Sequence, residues 1–243
     1  MMNFTRLIVG LFLSVTAMTL YANNDSNAQP KVSSSANTTL NMHNSQIVKT
    51  DKSTSTLTIA VLGDSLSAGY GIKAQEGWVA LLSQKLQQEE IKAAVINGSV
   101  SGATTDAGLS MQAGLIARAP DIMIIELGAN DGLQGKPLGL IEHNLSTLIT
   151  NAQKADAKVL LLGVHLPPNL GKRYTQPFFA QYAKLAKQHN TALVPFFLEG
   201  VAGKPEYMQN DGLHPNAKAQ LIILNNIWPS LQPLIAQALT PQL

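Results

Sequence analysis

Five short apolar runs without polar alternation constrain this chain more than any other feature. They are Leu57–Leu62, Ala93–Asn97, Asp121–Leu127, Lys158–Gly163 and Ala192–Phe196. A strand that faces water on one side alternates polar and apolar residues, whereas one covered on both faces reads as a continuous apolar run. Between the runs lie stretches with helical spacing. Trp78, Leu81, Leu82 and Leu86 share one face, as do Ile141, Leu145, Leu148 and Ile149, and also Phe178, Tyr182 and Leu185. Strand and helix therefore alternate, and right-handed crossovers close them into a three-layer α/β/α sandwich around a five-stranded parallel sheet. A last helical stretch runs from Asn216 towards Ala238, and Pro229 is expected to strain or break it.

The sandwich accounts for residues 57–243. Ahead of it, Arg6 supplies a positive charge and Leu7–Leu20 an apolar stretch of about 14 residues, short of the roughly 20 that span a bilayer. Residues 1–22 read as a secretory signal cut after Ala22, which places the mature protein in the periplasm or the medium with no stable membrane insertion. Residues 23–56 differ again. Twenty of these 34 residues are Asn, Ser, Thr or Gln and none is aromatic. Such a segment buries too little apolar area to offset the entropy of ordering it, so a disordered linker is expected. The chain has no cysteine, which excludes disulfides, thiolate metal sites and a cysteine nucleophile. A formal net charge of +2 gives no field suited to nucleic acid.

In open parallel sheets, ligands bind beyond the carboxyl ends of the strands. The loops there are rich in this sequence. They carry Gly63-Asp64-Ser65-Leu66, then Asn97-Gly98-Ser99-Val100-Ser101-Gly102, then Gly128-Ala129-Asn130-Asp131-Gly132. Asp211-Gly212-Leu213-His214-Pro215 stands before the last helix. Each block has a purely structural reading, since serine caps helices, Asn-Asp-Gly forms turns and Gly102 permits positive φ. Together they supply what acyl transfer by a serine requires: a nucleophile, a base, a carboxylate to hold the imidazole tautomer, and donors for the oxyanion. Asp211 and His214, three residues apart, are close enough for a local carboxylate–imidazole bond. Ser65, Gly102 and Asn130 fall on three successive strand-end loops.

In that order, these blocks resemble the SGNH (GDSL) hydrolases. Asn97–Thr105, Glu126–Gly132, Leu166-Pro167 with Gly171–Tyr174, Pro195-Phe196-Phe197 and Met208–Pro215 look like the multifunctional bacterial acyl-CoA thioesterase, lysophospholipase and arylesterase branch. The resemblance covers residues 57 to 237. It implies a flavodoxin-like sheet of order 2-1-3-4-5, with Ser65 as nucleophile, His214 as base and Asp211 as its orienting carboxylate. It further implies an oxyanion hole from the Ser65 and Gly102 N–H groups and the Asn130 amide, with no cofactor and no metal. Small acyl esters, acyl thioesters and lysophospholipids are the implied substrates, for a protein that is a monomer by default. In the family, the region matching Asp131–Pro137 forms a mobile lip over the acyl pocket. Ala103 and Thr104 depart from the family, which often has a polar residue directly after the glycine.

Three other readings compete. A metal-dependent phosphoesterase would recruit Asp64, Asn130, Asp211 and His214, but only one histidine falls in the blocks. An α/β-hydrolase is disfavoured because no G-x-S-x-G occurs. An exported, inactive lipid- or glycan-binding module of the same fold would be free to lose Ser65, Asp211 or His214, yet all three are present. His43, His143 and His189 need no function, and His165 lies near the predicted crevice. Tyr174, with Lys172 and Arg173, either flanks the site or belongs to a solvated loop.

Overall fold

The structure, a computed structural model, describes residues 56–240. The predicted signal and nearly all of the predicted linker lie outside the described residues. The sheet has five parallel strands: β1 (Leu57–Gly63), β2 (Ala93–Asn97), β3 (Ile122–Glu126), β4 (Lys158–Leu162) and β5 (Ala192–Val194). Their order is β2-β1-β3-β4-β5. β1 and β3 pair in a register that sets Ile59 against Ile122 and Gly63 against Glu126. β1, β3 and β4 are almost wholly buried, whereas the edge strand β2 is only partly covered. This is the arrangement that uninterrupted apolar runs require. β5 stops two residues earlier than the run predicted, just before Pro195, which has no N–H to donate to a ladder.

The helices are α1 (Ser65–Ala68), α2 (Trp78–Gln88), α3 (Thr105–Ile116), α4 (Ala129–Leu133), α5 (Leu138–Lys154), α6 (Lys172–Gln188) and α7 (Gln220–Leu239). α3, α5 and α6 pack on one face of the sheet, and α2 and α7 on the other. The apolar stripes anticipated for α2, α5 and α6 are the buried ones: Trp78, Leu82 and Leu86, then Ile141, Leu145, Leu148 and Ile149, then Phe178, Tyr182 and Leu185.

One expectation is corrected. α7 runs unbroken through Pro229 and also through Pro233. Both prolines are exposed, and so is Asn225, whose carbonyl loses its partner to Pro229 and is free to meet water instead. The opposite face, Ile223, Leu224, Ile227, Leu231 and Ile235, is buried on the sheet and holds the helix. At about 25 cal/mol per Å² of apolar area, such burial outweighs two missing backbone bonds.

Candidate active site

Asp64, immediately after β1, caps α1. Its Oδ1 accepts the Leu66 N–H at 3.0 Å, and this bond fixes the turn that carries Ser65. Ser65 is half-buried, and its Oγ lies 2.9 Å from His214 Nε2. His214 Nδ1 lies 2.7 Å from Asp211 Oδ2. Asp211 Oδ1 accepts the backbone N–H groups of Leu213 (2.9 Å) and His214 (3.0 Å). The His214 backbone N–H, its ring and the Leu213 N–H hold the Asp211 carboxyl down at about 2. The Asp211 side chain is 38% exposed and that of His214 is 21% exposed, so this contact is partly screened by solvent.

Asn130 lines the same cavity as Ser65 and His214, and Gly102 lies in the loop that follows β2. Gly102 has φ of +81°, which glycine alone adopts without strain, although space for a Cβ is open. Among the described residues, neither the Ser65 nor the Gly102 N–H donates to a backbone or side-chain acceptor. Asn130 differs. Its Nδ2 donates to Asp64 Oδ2 and to the Ala103 carbonyl, both at 3.0 Å, so both amide hydrogens are engaged.

The neighbouring Asp131 is fully buried and locks two loops together. Its Oδ2 accepts the Thr105 N–H at 2.7 Å and its Oδ1 accepts Thr105 Oγ1 at 2.8 Å. Thr104 caps α3 by accepting the Ala107 N–H. The two residues that depart from the family pattern thus have local work: Ala103 supplies the carbonyl that Asn130 binds, and Thr104 starts the helix.

Asp64, Ser65, Asn130 and His214 line a cavity of about 510 Å³ whose walls also include Leu133, Val164, Leu166, Pro167, Phe196 and Leu198. That size suits a small-molecule site, and the lining is mostly apolar. His165 also lines it, stacked on Phe179 at 3.6 Å and edge-on to Phe196 at 4.5 Å. Burial lowers the His165 pKa. The Asp131–Pro137 segment is partly α4 and is anchored, with Tyr174 Oη donating to the Lys136 carbonyl at 2.6 Å and Lys136 Nζ 2.8 Å from Asp106. Tyr174 lies in α6, and its hydroxyl belongs to this anchor. Among the described residues, no group of three or more His, Asp or Glu side chains is clustered to hold a metal ion.

Sequence reasoning passed over three residues here. Tyr70 lays its ring 4.5 Å from that of His214. Gln209 bonds to the Tyr70 carbonyl. Glu126, fully buried, lies beneath Asp64 and accepts Ser67 Oγ at 2.8 Å. A glycine-rich turn after the first strand hints at close packing there, but no spacing points to a partner 62 residues away.

A parallel α/β/α sheet with serine, imidazole and carboxylate in line at its carboxyl edge, above an apolar cavity, defines an ester hydrolase of the SGNH type. The chain belongs to the GDSL-like Lipase/Acylhydrolase family, whose pattern matches residues 61–222. It is similar to the "Esterase TesA" of Pseudomonas aeruginosa, with 47% identity over 179 residues, 73% of this chain and 89% of that one. It is also similar to the "Thioesterase 1/protease 1/lysophospholipase L1" of Escherichia coli K12, 43% identical over 73% of this chain and 85% of the relative. Among solved structures, the psychrotrophic esterase EstA from Pseudoalteromonas sp., in a form inhibited by monoethylphosphonate, superposes with a TM-score of 0.70. It is 40% identical, covering 74% of this chain and 98% of that one. The protein is thus a hydrolase acting on ester bonds.

Proposed function

We propose that the protein cleaves carboxylic esters and acyl thioesters through an acyl-enzyme formed on Ser65. The observation that carries this reading is the continuous line from Ser65 Oγ to His214 Nε2 (2.9 Å) and from His214 Nδ1 to Asp211 (2.7 Å), opening into an apolar cavity. Ser65 Oγ attacks the acyl carbonyl while His214 takes its proton. The imidazolium then gives that proton to the leaving alcohol or thiol as the bond to it breaks. Water, deprotonated by the same imidazole, attacks the acyl-serine; as the acyl–Oγ bond breaks, the imidazolium returns its proton to Ser65 and the acid is released. Asp211 keeps Nδ1 protonated throughout. Negative charge on the carbonyl oxygen is met by the Ser65 and Gly102 N–H groups and by Asn130, whose bond to the Ala103 carbonyl yields to the oxyanion while its bond to Asp64 stays.

The cavity walls favour an apolar acyl chain, with lysophospholipids as further substrates. Residues 57–243 form the hydrolase domain, exported by a signal at 1–22 and joined to it by a linker at 23–56, so the enzyme works in the periplasm or outside the cell. Among the described residues no helix is long and apolar enough to cross a membrane.

A p-nitrophenyl ester series and an acyl-CoA series of increasing chain length test this reading. Both should be hydrolysed by wild type, with kcat/KM rising as the chain fills the cavity, and neither by Ser65→Ala. Equal turnover by the variant would remove Ser65 from the reaction.

A further inference from the structure

The molecule holds two buried carboxyls side by side that the ester-cleaving steps leave unused. Glu126 ends β3 with 0% exposure, and Asp64 follows β1 at 1%. The β1–β3 register sets Glu126 opposite Gly63, directly beneath the residue that precedes Ser65. A Cβ at position 63 would lie 2.8 Å from Glu126 Oε2, so glycine is what leaves room for the carboxyl. Oε2 accepts the Ser67 hydroxyl at 2.8 Å and lies 3.3 Å from the Asp64 N–H, while Oε1 has no donor among the described residues.

Glu126 and Asp64 are direct neighbours, with the Glu126 carboxyl against the Asp64 backbone N–H and its Oε1 left without a partner among the described residues. Carboxylates only accept, so a bond between two neighbouring carboxyls requires one of them to carry a proton. Two adjacent negative charges in such a site would repel each other and forgo hydration. The neighbours decide which one is neutral. Asp64 receives Leu66 N–H and Asn130 Nδ2, each at 3.0 Å, and His214 also stabilises its charge. Glu126 has an orphan oxygen. Across from the pair, Tyr182 on α6 donates its hydroxyl to the Leu127 carbonyl (2.9 Å), and the further carboxylate near that ring, Asp131, is itself paired with Lys136 Nζ at 3.3 Å.

We propose that Glu126 is a positioning residue, held as a neutral acid that donates its proton to the Asp64 carboxylate, which in turn fixes the Asn130 amide beside Ser65. Burial supports this, pushing Asp64 up to about 6 and, together with the Asp64 charge, raising Glu126 well above the usual carboxylate range. The folded protein therefore keeps a proton that the unfolded chain releases. Stability falls as pH rises from the ordinary carboxylate range through these raised values. The positioning role rests on the proposed function, but the proton itself does not.

The test is difference infrared spectroscopy of wild type against Glu126→Gln at neutral pH, with steady-state kinetics of Glu126→Gln and Glu126→Ala. Wild type should show a protonated-carboxyl stretch, shifted in heavy water, that Glu126→Gln lacks. Glutamine is also neutral and can donate to Asp64, so Glu126→Gln should lose no more than about fivefold in kcat, whereas Glu126→Ala should lose about 10²-fold with KM little changed. Glu126→Gln should also lose less stability than wild type as pH rises from the ordinary carboxylate range through about 6. Absence of the band, or a Glu126→Gln loss as large as that of Glu126→Ala, would overturn the proposal. Should Glu126→Ala not fold, the band and the pH slope of Glu126→Gln still decide it. A band in a protein whose Ser65 proved inert would retain the proton and discard the positioning role together with the esterase reading.

Discussion

Gln209 Nε2 donates to the Tyr70 carbonyl at 2.7 Å and to the Pro215 carbonyl at 3.1 Å, so one side chain joins the loop of His214 to the loop that follows Ser65. Its own N–H donates to the His214 carbonyl at 2.8 Å, and Met208 bridges to Pro215. His214 and Ser65 come from segments 149 residues apart. Their 2.9 Å separation depends on cross-links of this kind, because an exposed loop has little packing of its own to hold it.

Gln209→Ala should therefore lower kcat about tenfold while leaving KM within about twofold, and should cost about 1 kcal/mol of stability. Steady-state kinetics and urea unfolding check both numbers. A change in KM alone would mean that Gln209 shapes the cavity instead of the Ser65–His214 distance.

Asn130 donates to Asp64 and to the Ala103 carbonyl. If its amide turns to the oxyanion during reaction, Asn130→Ala should lower kcat by about 10²–10³-fold, or about 3–4 kcal/mol, with KM nearly constant. A rise in KM with intact kcat would assign Asn130 to ground-state binding.

Three bonds hold the Asp211 carboxyl at about 2: first the His214 backbone N–H, then the His214 ring, then the Leu213 N–H. A depressed carboxylate pKa contributes stability above the ordinary carboxylate range, and that contribution is lost only as pH falls towards about 2. His214→Ala removes the ring but neither backbone donor, so it should return the Asp211 titration only part of the way to its usual value. Carbon-detected NMR of the side-chain carboxyl measures this directly. A full return would mean that the ring, and not the turn, sets the carboxylate.

His165 forms part of the cavity wall through its stack on Phe179 and Phe196. An aromatic contact of this kind is worth about 1 kcal/mol, so His165→Ala should raise KM for an apolar acyl ester roughly fivefold and leave kcat alone. A drop in kcat without a change in KM would place His165 among the reacting groups.

Much of this was legible in the chain, and what was not has a physical reason. The five apolar runs announce the sheet because β1, β3 and β4 are buried on both faces. α3 leaves no apolar stripe, because its inner face is Thr105, Gly108, Gln112 and Leu115. Two of those are polar and satisfied by partners distant in sequence, Thr105 by Asp131 and Gln112 by the Leu148 carbonyl at 2.6 Å. Pro229 suggests a break because local rules cannot see that its face of α7 is exposed. At the site, Asp211 and His214 are three residues apart and their bond is local. Glu126 and Gln209 bond to partners 62 and 139 residues away, a relation carried by the β1–β3 register and by loop packing.

The most direct test of the account is the intact mass of the protein after treatment with a fluorophosphonate, for wild type and for Ser65→Ala. A single covalent adduct on wild type that is absent from the variant is the predicted result, because only a serine activated by His214 reacts at an appreciable rate. A folded wild type that takes up no adduct, or a Ser65→Ala variant that still does, would contradict the assignment of Ser65 as the nucleophile.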